Sequence, residues 1–216
     1  MKEFAFLFDL DGVIIDSMPL HTEAWSVYLE QLGLPATPAA IASRMHGKRN
    51  DDIVADFIGR DLDPAAIFEH GAAKERLYRQ LIATRLKERL VPGVEDFLKR
   101  FEGVPMAVAS NAEPANVDFV LDGTRLRSRF QAVVDGQQVD RPKPFPDVYL
   151  RAAVLLDVTP LNCIVFEDSP TGVEAGRSAG MRVVGVQTHS ADLRDVDLSV
   201  RNFEDPKLEA WLKTQN

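Results

Sequence analysis

The hydrophobic pattern of this chain changes character twice. It opens on a continuous apolar run, Phe4-Ala5-Phe6-Leu7-Phe8, of the length and composition of a buried strand, which ends abruptly at Asp9-Leu10-Asp11-Gly12. From Ser17 to Lys87 the period is helical throughout. Leu20, Ala24, Val27, Tyr28 and Leu32 recur at helical spacing, with Pro19 in the first turn and Gly33 as the stop. Thr37-Pro38 opens a second helix. Asn50 caps a third, with Ile53, Val54, Phe57 and Ile58 on its apolar side. Asp63-Pro64 opens a fourth that runs into the 80s through Phe68, Leu77, Leu81, Ile82 and Leu86.

Past the turn at Val91-Pro92-Gly93 the pattern alternates between helix and strand. Helices are predicted over Val94–Phe101, from Glu113-Pro114 to about Asp122, over Phe145–Leu156 and over Thr171–Ala179, the last closed by Gly180. Strands are predicted over Pro105–Ala109, Ala132–Val134, Cys163–Phe166 and Arg182–Val186. Strands separated by helices of this length imply crossover connections and a parallel sheet. The expected architecture is an α/β core, residues 1–16 and 88–216, interrupted after its first strand by an all-helical insert, residues 17–87. An insert that leaves and re-enters beside the Asp9 turn is placed to open and close over it, excluding water.

Composition narrows the function. The 216 residues carry 25 Lys and Arg against 33 Asp and Glu, a net charge of −8, and the helical block is balanced, with nine of each sign. The excess acid therefore belongs to the α/β part. A chain this acidic lacks the basic face that nucleic acid needs, yet phosphate substrates stay possible because one bound metal ion reverses the local field. The single cysteine, Cys163, lies in an apolar run and allows no internal disulfide. The start of the chain has no basic segment followed by a long apolar core, and no apolar run approaches a membrane span. The expectation is a cytoplasmic protein with no membrane partner, for which nothing requires more than a monomer.

The candidate chemistry lies at strand ends. Asp9 and Asp11 flank one residue at the carboxyl end of the first strand, where ligands bind in open α/β sheets. Two carboxylates so close repel each other. They are tolerated if a divalent cation sits among them or if one holds a proton. Such a pair in a turn is commonly just solvated, but its company argues otherwise. Ser110-Asn111 follows the second strand, Lys143 lies after the third in Arg141-Pro142-Lys143-Pro144, and Glu167-Asp168 ends the fourth. In a parallel sheet these ends share one edge. Carboxylates that hold Mg2+, with a lysine, a hydroxyl and amides that neutralise phosphoryl oxygens, make up the set that metal-assisted phosphoryl transfer requires.

Taken in this order, Phe8-Asp9-Leu10-Asp11-Gly12, Ser110-Asn111, Lys143 between its prolines and Phe166-Glu167-Asp168-Ser169-Pro170-Thr171-Gly172 resemble the haloacid dehalogenase superfamily of phosphotransferases, in the branch of β-phosphoglucomutase and small sugar phosphatases. The resemblance covers nearly the whole chain. It implies a Rossmann-like core with a helical cap, Asp9 as nucleophile through an aspartyl phosphate, and Asp11 as general acid and base. It also implies Mg2+ held by Asp9, the Asp11 carbonyl and Asp168, with Glu167 as a further ligand or a support, and phosphoryl oxygens held by Ser110, Asn111 and Lys143. An Asp at the second position separates this branch from true dehalogenases.

In the cap, the resemblance points to His21, Trp25, His46, Gly47, Lys48, Arg49, Asn50, Lys74 and Tyr78 as readers of the leaving group. His21 matches a histidine that couples cap closure to the general acid in β-phosphoglucomutase, and Lys74 matches the lysine that pairs with it. Trp25 reads as cap core. The mutase places its phosphate-binding arginine three residues after the loop glycine, whereas Arg49 stands two after Gly47, a spacing closer to the phosphatases. The expected activity is hydrolysis of a small phosphorylated sugar or similar monoester. β-Phosphoglucomutase is the rival, and a pyrophosphatase or a non-catalytic binding module comes behind it.

Overall fold

The computed structural model describes residues 4–45, 50–189 and 192–215. The chain divides into two compact units, Ser17–Arg85 and Met1–Asp16 with Leu86–Asn216. In the smaller unit the described residues form α1 (Met18–Gln31), α2 (Pro38–Met45), α3 (Asn50–Phe57) and α4 (Pro64–Ile82). Pro19 sits in the first turn of α1, where its missing N–H costs nothing. Asp63 caps α4 by accepting from Ala66 N at 2.8 Å. Asn50 is the first residue of α3 rather than its predicted cap. Trp25, Leu29, Ile41 and Val54, all fully buried, form this unit's core.

The larger unit is built on β1 (Ala5–Phe8), β2 (Met106–Ala109), β3 (Ala132–Val134), β4 (Cys163–Glu167), β5 (Arg182–Val186) and β6 (Leu198–Val200). They form a wholly parallel sheet in the order β3-β2-β1-β4-β5-β6. Its helices are α5 (Val94–Arg100), α6 (Pro114–Thr124), α7 (Asp147–Leu155), α8 (Pro170–Ser178) and α9 (Pro206–Leu212). The predicted parallel α/β core is therefore present. β6 and α9 extend it beyond the last predicted strand. α7 starts two residues later than expected. Phe145 N donates to Pro142 O at 3.0 Å and Arg141 clasps Asp147 with two bonds of 3.0 and 2.9 Å, so the residues before Asp147 are a turn.

Side-chain parity along the strands sets up two different faces. Ala5 and Leu7 of β1 and Cys163 and Val165 of β4 join Val148, Tyr149 and Val173 on one side. Phe6, Phe8 and Phe166 point the other way, into a cluster with Phe97, Phe101 and Phe203. Phe8 and Phe166, paired in register across β1 and β4, stack at 4.8 Å with an interplanar angle of 6°. Both faces of β1 are covered, which is why its sequence reads as an unbroken apolar run rather than an alternation.

Because Phe166 has no exposed surface and its ring lies within 5.6 Å of four others, nothing can collapse into the space it fills. Phe166→Ala is expected to cost about 3–5 kcal/mol, read as a lowered urea midpoint with an unchanged denaturant slope.

Candidate active site

The strand order reverses between β1 and β4: one half of the sheet is laid down outward from β1, and the chain then crosses back to start β4 on the other side. The crevice outside the carboxyl ends of two such strands is where open α/β sheets bind ligands. Asp9 N donates to Phe166 O at 3.1 Å, which carries the β1–β4 pairing one step past β1 and holds Asp9 beside Glu167. By parity Asp9 follows Leu7 and Glu167 follows Val165, so both carboxylates emerge on the α7–α8 side. This shared direction lets one lysine reach both.

Lys143 Nζ donates to Asp9 Oδ1 at 2.8 Å and to Glu167 Oε1 at 2.6 Å, with only 8% of the residue exposed. Its backbone N donates to Asn111 Oδ1 at 3.0 Å, so the loop after β2 holds the loop after β3. Ser110 is buried, and its hydroxyl accepts from Ala112 N at 3.1 Å. Asn111 itself is exposed at the surface.

Glu167 is completely buried and takes five donors. Oε1 accepts from Lys143 Nζ and from Tyr149 Oη at 2.7 Å. Oε2 accepts from Asp168 N at 3.0 Å, Ser169 N at 3.1 Å and Ser169 Oγ at 3.0 Å. Ser169 also caps α8 by accepting from Gly172 N at 3.1 Å. Of the two roles expected for Glu167, ligand or support, this geometry favours support. Tyr149 and Ser169 were not among the predicted site residues. Tyr149 reads as one more apolar position of α7, and Ser169 lies in the fourth motif but reads as a cap.

Two glycines make room for the acids. Gly12 has φ +76°, a backbone that L side chains rarely adopt, and a Cβ there would land on the Asp168 carboxylate. A Cβ on Gly172 would land on that of Glu167. Asp9, Glu167 and Asp168 each offer an oxygen within 4.8 Å of the others. Asp11 is half-buried just behind them, its backbone bridged to Ile15.

The electrostatics follow from the crowding. Burial pushes the Asp9 carboxyl up to about 7. Glu167 and Asp11 add to the rise, and Lys143 only partly offsets it. Asp168 is raised well above the ordinary carboxylate range by burial and then by Glu167, Asp9 and Asp11. Burial would lower the Lys143 ammonium, but Asp9 and Glu167 outweigh it and leave it raised. One buried cation faces more negative charge than it can balance. A cluster of carboxylate oxygens in that condition suits a hard divalent cation.

In the helical unit Lys74 is 2% exposed, and its Nζ lies 3.0 Å from His21 Nδ1 and 2.6 Å from Glu75 Oε1. His21 stacks on Tyr78 at 3.8 Å. Lys74 Nζ also lies 5.4 Å from the centre of the Trp25 ring, which belongs to the unit's core as expected. Asn50 packs towards α4, its Nδ2 lying 3.1 Å from where a Cβ on Gly71 would stand. His46, Gly47, Lys48 and Arg49 lie outside the described residues. No helix among the described residues is long and apolar enough to cross a membrane.

Comparison with known proteins agrees with this architecture. The model of the haloacid dehalogenase-like hydrolases matches residues 5–180. The chain is 34% identical over 186 residues to a fructose-1-phosphate phosphatase of Escherichia coli (strain K12), covering 84% of this chain and 95% of that protein. It is 32% identical over 210 residues to a β-phosphoglucomutase of Bacillus subtilis (strain 168), covering 95% and 92%. The crystal structure of β-phosphoglucomutase from Clostridium difficile superposes with a TM-score of 0.86 at 26% identity, over 100% of this chain and 98% of that one.

The raised Asp9 value predicts how stability varies with pH in protein stripped of divalent cations. Its folded-state value of about 7 lies above the ordinary 3.8, so folding favours the protonated acid. That stabilisation is complete below about pH 4 and is lost as the pH rises through 7, at no more than about 1.4 kcal/mol per pH unit. Urea unfolding of the stripped protein between pH 4 and 8 should show this decline, and Asp9→Asn should make it shallower, leaving the part due to Asp168, whose carboxyl is also raised.

Proposed function

We propose, from the premise that this chain belongs to the haloacid dehalogenase-like hydrolases, that it is a Mg2+-dependent phosphatase of small phosphorylated sugars or similar monoesters. The observation that carries this reading is the Lys143 ammonium 2.8 Å from Asp9 and 2.6 Å from Glu167, beside Asp168 at the strand-order reversal. A nucleophilic carboxylate, a fixed cation and a cluster of oxygen donors stand together there.

In the reaction we assign, an Asp9 carboxylate oxygen attacks phosphorus. The bond from phosphorus to the sugar oxygen breaks, and Asp11 gives its proton to that leaving oxygen. Asp11 then takes a proton from water as the water oxygen attacks the aspartyl phosphate, which releases Asp9 and inorganic phosphate. Lys143 keeps Asp9 aimed and balances charge on the phosphoryl oxygens, which Ser110 and Asn111 help to hold. Mg2+, held by Asp9, Asp168 and the Asp11 carbonyl, would neutralise phosphoryl charge and favour ionised Asp9 at neutral pH. Glu167 orients the other groups without lending an oxygen of its own. The helical unit would act as the cap that reads the leaving group, with His21, Asn50 and Lys74 and with the loop of Gly47, Lys48 and Arg49.

One observation favours the mutase as a second reading. The buried contact of Lys74 with His21 is the pairing that the likeness to β-phosphoglucomutase calls for. The phosphatase stands first because of the Gly47 to Arg49 spacing.

A phosphate-release screen over phosphorylated sugars and sugar alcohols, with and without Mg2+, tests the first reading. Release is expected only with the metal, and Asp9→Asn should bring it below detection. Supplying β-glucose 1-phosphate with a trace of bisphosphate primer separates the two readings. Free phosphate supports hydrolysis, whereas glucose 6-phosphate without phosphate release would make the chain a mutase.

A further inference from the structure

We propose that Tyr149 is a positioning residue of this site, acting through Glu167 on Lys143; the inference rests on the phosphatase reading for its catalytic consequence but not for its geometry. Tyr149 has no exposed surface, and its hydroxyl reaches the Glu167 oxygen that also accepts from Lys143. Packing alone does not call for a hydroxyl there, because the core cluster that Tyr149 joins is otherwise apolar, with Val148, Ala152 and Val165 among its members.

The arrangement is over-determined on one side of Glu167 and sparse on the other. Oε2 is held by the backbone N–H groups of Asp168 and Ser169 and by the hydroxyl of Ser169, the cap residue of α8. Oε1 is held by Lys143, on a flexible four-carbon stem, and by Tyr149. Without the phenol, the only donor left on Oε1 among the described residues is the group whose position it is meant to fix. The Tyr149 ring also lies under the ammonium, 4.8 Å from Nζ to the ring centre, and an aromatic face attracts a cation there. Tyr149 thus fixes the carboxylate through its hydroxyl and bounds the lysine through its ring. Phenylalanine would keep the second contact and lose only the first.

The test is Tyr149→Phe, made in the full chain. Its melting temperature should stay within a few degrees of the wild type, since shape and ring are kept. The direct readout is the hydrogen exchange of the Lys143 ammonium in nitrogen-15 NMR of metal-free protein, its signal assigned by loss in Lys143→Gln. Exchange should be slow in the wild type and several-fold faster in Tyr149→Phe. On a substrate found by the screen above, kcat should fall about tenfold with KM changed by less than twofold. Tyr149→Leu, which removes the ring as well, should lose more on both readouts. If the variant is stable and Lys143 exchange and kcat are both unchanged, Tyr149 only fills space and the proposal is wrong. If the wild type releases phosphate from no substrate, the phosphatase reading fails while the exchange measurement still decides the proposal.

Discussion

The structure depends on a single buried ammonium shared by two carboxylates. Lys143 touches Asp9 and Glu167 where less than a tenth of any of the three is exposed. Carboxylates out of water repel each other and lose hydration, and a lysine in the same place loses its own. The cluster holds because each charge meets another or a fixed dipole. Glu167 alone takes two backbone N–H groups, two hydroxyls and the lysine. Even so, burial first and the neighbouring carboxylates second hold Asp9 and Asp168 above the ordinary carboxylate range. A cluster of buried carboxylate oxygens of this kind suits a hard divalent cation.

Ordinary sheet geometry delivers the groups. β1, β2 and β4 contribute residues at or just past their carboxyl ends, and parallel pairing puts those ends on one edge. Register does the finer work: Phe8 opposite Phe166 sets Asp9 opposite Glu167, and the period of two turns both to the same side. The aromatic cluster behind β1 and β4 is therefore part of the site's precision, since a slip of one residue would send Asp9 into the phenylalanines. The loops add what strands cannot. Asn111 ties the Lys143 loop, and a Cβ on Gly136 would strike the Asn111 carbonyl, so these two loops meet closely.

Much of this was legible in the sequence because the signals were strong and local. Apolar runs ending in Asp, Glu or Ser identify strand ends, and an Asp-Pro or Glu-Pro pair marks where a helix starts. Other elements had weaker signals. β6 is three residues long with Ser199 in the middle, too short for a period to show. α9 does open on an Asp-Pro pair, Asp205-Pro206, but its seven residues are shorter than the window in which helical spacing becomes distinct. α7 was read from Phe145 because apolar residues and prolines there resemble a helix start, while the clasp between Arg141 and Asp147 that sets the true start is a side-chain contact. Tyr149 and Ser169 escaped for a related reason. Each has a complete local explanation, a core position and a cap, and only three dimensions show both converging on Glu167.

The glycines show how far the site's demands reach back into local sequence. At Gly12 the turn needs a left-handed backbone and Asp168 needs the space a side chain would take, so one residue answers two constraints of different origin. At Gly172 only the second applies. It lies in the first turn of α8, where alanine would suit the helix better by up to about 1 kcal/mol, and a methyl group there would displace the Glu167 carboxylate. The helix gives up part of its propensity to leave room for an acid on a neighbouring strand. That acid in turn binds the serine that caps the same helix. The Glu167 carboxylate and the cap of α8 thus hold each other in place through Ser169.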